Sequence, residues 1–373
     1  MYRRLGCVFL LCGYILLSSG CANPCEVVTL SEEIEEYQSL LTELRQIAGS
    51  PGLSVAILEA DKEAPWVGVT GCMDVEEEKS TLLNASFLVG SVSKTVVAAI
   101  VLSLVDQGEL SLEEEVPLST DRFETPRIRD LLGMTTGLPD YVALEEFSRR
   151  MGEDPQQIWS REELIRLANE APEAAVPQES WFYSNTNYLV LEKFLEERTG
   201  QTLQDHLEAM HGGAYRSLRF THLLPREEPY AKAAMQGCLR AMCVVQGLEG
   251  AFHPSAYGAA GSLAGEPAEL VLFIRDLFGP DGLSASSVDE MTRWNDTYGD
   301  FRETAEEYGL GLYVLPTDGE EQWWGHSGSV VGATSYLAIH EESGTVVLVA
   351  SARNLDGRFS NYFVQTMLGE VLR

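Results

Sequence analysis

Ser91-Val92-Ser93-Lys94 sets a hydroxyl and an amine three residues apart, a spacing that puts both on one face of a helix. A serine hydroxyl is a poor nucleophile until a nearby base takes its proton, and a lysine can do so once burial favours its neutral form. Val96, Val97, Ala98, Ala99 and Ile100 follow and can supply that burial. Ser-x-x-Lys occurs once in a chain with only five lysines, and in an apolar stretch where an unpaired ammonium is costly. Tyr183-Ser184-Asn185 is the sole Tyr-x-Asn of the chain. A tyrosine beside an ammonium can shift toward phenolate and carry protons, and an asparagine amide can donate to a substrate carbonyl while accepting from a lysine. Taken alone, Asn185 reads more simply as a helix cap. His326-Ser327-Gly328 is the third element, where the glycine lets a substrate backbone lie against a strand. His211-Gly212-Gly213 repeats the His-x-Gly spelling inside a helical stretch and is set aside.

In this order the three elements resemble the serine β-lactamase-related family, in the branch that holds class C β-lactamases, D-Ala-D-Ala carboxypeptidases, D-amino-acid peptidases and esterases. The resemblance runs from about Leu53 to the end of the chain. Phe87 to Ser91 is similar to the family's lead-in to its nucleophile, and Ile128 to Tyr141 to its loop after the first helices. Tyr257 to Leu263 resembles its glycine-rich segment, and Tyr308 to Gly311 with Gly325 to Gly328 its C-terminal strands. The resemblance implies an acyl-enzyme on Ser91, with Lys94 and Tyr183 sharing general-base work; which of them accepts the proton stays open. It implies that Asn185 orients Lys94 and the acyl amide, that the backbone N–H groups of Ser91 and Ser329 hold the oxyanion, and that His326, Ser327 and Gly328 line the far side. It implies no cofactor and no metal. Met134 and Thr136 depart from the family's usual His and Ser. His326 stands where the β-lactamases carry a lysine for the substrate carboxylate. A mostly neutral histidine is a weak carboxylate partner, so peptides and neutral esters are expected ahead of penicillins, with protonation of His326 at lower pH helping anionic substrates.

Several elements must position these groups. Ser31 to Ala48 has apolar residues at helical spacing, with Ser31 as its expected cap. Leu53–Leu58 and Trp66–Thr70 read as strands, and Ser91–Val105 as a buried helix. Between about Leu118 and Gly299 the pattern is mostly helical, at Ile128–Leu132, Arg161–Glu170, Tyr188–Arg198 and Pro267–Phe278. Strands return at Gly309–Leu315, Ala333–His340 and Thr345–Ala350, and Phe359–Leu372 closes as a helix. The expected fold is α+β and β-lactamase/transpeptidase-like: one antiparallel sheet built from both ends of the chain, flanked by the first and last helices. Residues 31–117 and 300–373 form the α/β subdomain, and 118–299 a mostly helical one.

Residues 1–20 read as a signal peptide: Arg3 and Arg4, an apolar run too short for a membrane span, then small residues. Leu17 to Cys21 resembles a bacterial lipobox, which implies lipidation of Cys21, a tether over residues 21–30 and an exported protein anchored to the cell envelope. Cys25, Cys72, Cys238 and Cys243 remain, and free thiols and any of three pairings stay open. The formal net charge of −31 disfavours nucleic acid as a partner, leaving a small-molecule or peptide substrate. Two rivals remain: an α/β-hydrolase, from the near Gly-x-Ser-x-Gly at Gly325–Ser329, and a lipoprotein of this fold that binds without catalysis.

Overall fold

Strands from the two ends of the chain are neighbours: Val346–Ser351 pairs antiparallel with Gly52–Leu58, with Val349 opposite Val55. The computed structural model describes residues 28–371 except 51, 75–78, 82, 173–180, 225–251, 297–306, 318–320, 356–358 and 360–361. The signal segment, Cys21, Cys25, Cys238 and Cys243 lie outside the described residues. The central pair belongs to a ten-stranded sheet in which every described pairing is antiparallel. Val28–Leu30 and Trp66–Asp74 continue it on one side, and Ala333–His340 and Trp323–Val330 on the other. All seven residues of Gly52–Leu58 are buried, which requires cover on both faces.

Successive strand residues point to opposite faces. Tyr336 packs on Phe359 and Phe363 of the C-terminal segment, while Ser335 Oγ donates to Val89 O, just before the Ser-x-x-Lys element. The helix Glu35–Ala48 buries Tyr37, Leu40, Leu41 and Leu44 and lies beside the C-terminal segment, where Tyr362 Oη donates to Glu43. The helix Pro267–Leu277, although inside the 118–299 stretch, packs on Gly52–Leu58 and Val346–Ser351. A small second sheet, Phe87–Leu88, Leu263–Gly265 and Arg219–Phe220, ties the helical stretch to the nucleophile element.

Three local expectations are corrected. Ser31 does not cap the first helix; its Oγ accepts from Val67 N, and the helix starts after Ile34 with no side-chain cap. Gly309–Leu315 is not one strand: residues 309–312 turn a hairpin between Glu307–Tyr308 and Tyr313–Val314. Gly311 makes that turn at φ +78°, and a Cβ there would sit 2.7 Å from Lys94 O. The last helix is a π-helix over Phe363–Met367 followed by an α-helix over Leu368–Val371. Among the described residues no helix is long and apolar enough to cross a membrane.

Candidate active site

Ser91 occupies a 3-10 turn, Gly90–Val92, that runs into the helix Ser93–Asp106. Gly90 makes the turn with φ +52°, and a Cβ on it would stand 2.6 Å from Ser329 N, so the turn sits directly on the strand Trp323–Val330. Ser93 clamps it by donating to Gly90 O at 2.6 Å and accepting from Leu263 N at 3.0 Å. Val96, Val97, Ile100, Val101 and Leu102 are at most 1% exposed. Burying each contributes roughly 1.5–3 kcal/mol. Together they offset the several kcal/mol that burying one ammonium costs, which lets the helix carry Lys94 inward.

Lys94 is fully buried, and its Nζ donates to Ser91 Oγ at 2.9 Å, Asn185 Oδ1 at 2.8 Å and Ala260 O at 2.8 Å. Desolvation pushes its pKa down to about 7, against the pull of Asp140. A neutral lysine amine keeps two protons and one lone pair. With those protons on Asn185 Oδ1 and Ala260 O, the lone pair faces Ser91 Oγ, the arrangement a base needs.

The loop Gly133–Asp140 holds the Tyr-Ser-Asn element. Phe182 N donates to Met134 O, Ser184 N to Met134 Sδ, and Ser184 Oγ and Thr186 Oγ1 both donate to Pro139 O. Met134 takes φ +63°, rare for a residue with a Cβ, and its sulfur also accepts from Asn187 Nδ2. Thr136 Oγ1 donates to Asn187 Oδ1. Both departures from the resembled family therefore grip this element. Asn185 precedes the helix Thr186–Thr199 but makes no capping bond. Its amide bridges instead, with Oδ1 toward Lys94 and Nδ2 at 3.2 Å from both oxygens of Asp140, which also accepts from Asn185 N.

Tyr183 is hydrogen-bonded to Ser91, and Lys94 Nζ lies 4.9 Å from its ring centroid. The expected drift toward phenolate does not occur. Burial pushes the Tyr183 phenol well above its usual range, outweighing the Ser91 bond, so it stays protonated.

The His-Ser-Gly element departs furthest from its expected place. His326 is 2% exposed and ringed by Tyr183, Tyr308 and Tyr313, whose centroids are 6.1, 6.0 and 5.0 Å away. Its Nδ1 donates to Ser327 O at 2.5 Å, leaving Nε2 as the acceptor 3.4 Å from Tyr308 Oη. Burial first, and the Lys94 charge second, push its pKa down to about 3. The expectation that mild acid charges His326 for anionic substrates is thus overturned. Ser327 Oγ accepts from Tyr313 Oη, within an antiparallel strand rather than the strand-to-helix turn an α/β-hydrolase needs. Gly328 serves close packing: a Cβ on it would meet Val89 O at 1.9 Å.

Ser91, Asn185 and Ser329 open onto one cleft of about 280 Å³, with Val142, Tyr257, Ala260, Gly261, Val330, Val331 and Asn354. Asn354, which sequence reasoning missed, donates to Ser329 Oγ and Val330 O and accepts from Gly332 N, fixing the strand end beside Ser91. Asp140 was missed as well, although it lies in the loop whose sequence carried the resemblance. His211-Gly212-Gly213 forms a separate 3-10 turn with Met210. Among the described residues no group of three metal-binding side chains occurs.

Comparison with known proteins bears on the family and the fold. A D-aminopeptidase from Brucella anthropi is 32% identical over 163 residues, 42% of this chain and 30% of that protein. The chain spans about a third of the length of the curated relatives it matches, at 34%, 30% and 31% for three of them. A D-amino acid amidase structure from Ochrobactrum anthropi SV3 superposes with a TM-score of 0.71 at 21% identity, over 90% of this chain and 96% of that one. A D-stereospecific amidohydrolase from Streptomyces gives a TM-score of 0.68 at 20% identity, over 89% and 98%. These likenesses establish the β-lactamase/transpeptidase-like fold. The family model described as Beta-lactamase matches residues 38–363, nearly the whole described chain, and the protein belongs to that family.

Proposed function

We propose that the protein is a serine hydrolase that forms an acyl-enzyme at Ser91 and acts on amides or short peptides of D-amino acids. The observation that carries this reading is the buried Lys94 amine, poised near neutrality and bonded to Ser91 Oγ. Its preference for D-amino-acid substrates draws on the named activities of the relatives. Neutral Lys94 takes the Ser91 proton as Oγ bonds to the substrate carbonyl carbon. The carbonyl oxygen gains charge beside the backbone N–H groups of Ser91 and Ser329. The proton now on Lys94 passes through the Tyr183 phenol to the leaving nitrogen, the C–N bond breaks, and an ester remains on Ser91. Water then attacks that ester, its proton returns by the same route, and the acid leaves with Ser91 restored.

Lys94 is the base in this reading because the directions differ: burial makes the lysine neutral near pH 7 and keeps the tyrosine a phenol. The described cleft residues carry no cation facing a substrate carboxylate, which supports neutral amides and esters ahead of penicillins. We also take residues 1–20 as an export signal and Cys21 as a lipid anchor, placing the enzyme on the cell envelope. The test is incubation with D- and L-amino-acid amides, p-nitrophenyl esters and a fluorescent penicillin, with mass readout on Ser91. Turnover of D-amides through a Ser91 adduct supports the reading. Binding without any Ser91 adduct would leave a non-catalytic binding protein of the same fold.

A further inference from the structure

Behind the cleft lies a serine–histidine–carboxylate array that the mechanism above does not use. His222 Nε2 is 2.5 Å from Glu192 Oε1, and its Nδ1 is 2.5 Å from Ser262 Oγ. Glu192 and Ser262 are 2% and 1% exposed, so no substrate reaches this serine and it is no second nucleophile. The array is aimed at a backbone segment instead. Glu192 Oε2 accepts from Ala259 N at 3.3 Å, and Ser262 is the residue two beyond Ala260. The two contacts bracket Ala260, whose carbonyl accepts from Lys94. Arg161 lies 3.8 Å from Glu192 and 2.7 Å from Glu196, completing the charge balance on the outer side. The segment also needs close approach: Gly258 has φ +47°, and a Cβ there would meet Leu189 Cδ2 at 2.6 Å and Glu192 Oε2 at 3.3 Å.

From this geometry we infer that Arg161, Glu192, His222 and Ser262 are positioning residues: they hold the Gly258–Ser262 turn so that the Ala260 carbonyl stays on Lys94 and the amine's lone pair stays on Ser91. The reasoning is steric and electrostatic. An amine with only one fixed acceptor rotates about its Cε–Nζ bond, and its lone pair leaves the nucleophile. A carbonyl that drifts also stabilises the ammonium less than it did, because charge-assisted hydrogen bonds are the stronger ones. The groups facing Lys94 are Ser91, Asn185, Tyr183, Tyr188, His326 and, behind Asn185, Asp140; none belongs to the array. Glu192 and His222 therefore act on the lysine through the turn.

The inference rests on Lys94 serving as the base for Ser91, and the experiment separates the two ideas. Ser262→Ala changes no formal charge and breaks the link to His222; Glu192→Gln removes the carboxylate. The chain's five lysines make a ¹³Cε-lysine NMR titration tractable, and it reads the Lys94 pKa without any turnover. Ser262→Ala is expected to lower that pKa by about half a unit, and Glu192→Gln by more. In parallel, the plateau rate of Ser91 labelling by a fluorophosphonate should fall about tenfold, with its acid limb moving to lower pH by the same amount. Variants that only melt earlier, with the Lys94 titration unchanged, would overturn the inference. Absence of Ser91 labelling in the wild type refutes the acyl-enzyme reading alone, because the lysine titration still decides the positioning role.

Discussion

Asp140→Asn isolates the electrostatic support of the base. Asp140 reaches Lys94 through the Asn185 amide, whose Oδ1 accepts from Lys94 Nζ at 2.8 Å and whose Nδ2 lies 3.2 Å from both Asp140 oxygens, so the two charges are on the order of one bridging amide apart. At an effective dielectric of about 20 to 40 that attraction is about 1–2 kcal/mol, or about one pKa unit. The attraction raises the Lys94 pKa, opposing the desolvation that brings it down to about 7. Removing it therefore lowers the lysine pKa by about one unit. In the proposed mechanism acylation needs the neutral amine, so its rate rises as pH climbs through that pKa, and the acid limb of the variant should lie about one unit lower. A second effect opposes any gain. Asn185 Nδ2 faces both oxygens of Asp140, so an asparagine there presents an amide NH₂ to another NH₂ and favours rotation of Asn185. That would turn Nδ2 toward Lys94 and lower the plateau rate by about ten- to a hundredfold, as loss of one aligned charged hydrogen bond implies. The assay is the rate of Ser91 labelling by a fluorophosphonate from pH 4.5 to 9. An acid limb that stays in place or moves upward would refute the reasoning.

Ser91→Ala should abolish the covalent adduct seen by intact mass and cut turnover by up to ~10⁶-fold, whereas Ser327→Ala should keep the adduct. His326 should show no titration by ¹³C-histidine NMR between pH 5 and 9, since burial holds its imidazole neutral throughout; a midpoint near 6.5 would contradict the buried tyrosine ring around it. Cys21→Ser should prevent lipid attachment and detergent partitioning in a bacterial host, and an intact Met1 on the mature wild-type protein would remove the anchor proposal.

The site was legible where chemistry follows local spacing. Ser91 and Lys94 share one helical turn and one rare motif, and Asn185 travels with Tyr183, so each pair arrives together whatever the rest of the fold does. The sheet was legible in part, because Leu53–Leu58 and Ala333–His340 are mostly apolar runs that each follow a glycine. Asp140 and Asn354 were not, since their roles depend on where distant loops land. The third acceptor of Lys94 is a backbone carbonyl, which no residue type announces. Tyr183 was misjudged for a related reason: the pull of a nearby ammonium was visible in the motif, but the greater cost of burial, with the charge interaction of Tyr308 added to it, arises only in the assembled fold. His326 is buried instead of lining the cleft, and two of the three tyrosines that ring it, Tyr308 and Tyr313, come from the hairpin misread as one strand.

The pairing of Val55 with Val349 sets when the enzyme can first work. Contacts so far apart in sequence close late, because loop-closure entropy must be overcome before they contribute. Gly328, against which the nucleophile turn rests, comes nearly as late in the chain. A growing polypeptide that has already made its serine, lysine and tyrosine therefore has no sheet to mount them on. On this argument synthesis should act as a timer, with competence at the proposed site expected only once the last strands dock. Chains ended before Val346 should accumulate unlabelled by fluorophosphonate even when they remain soluble.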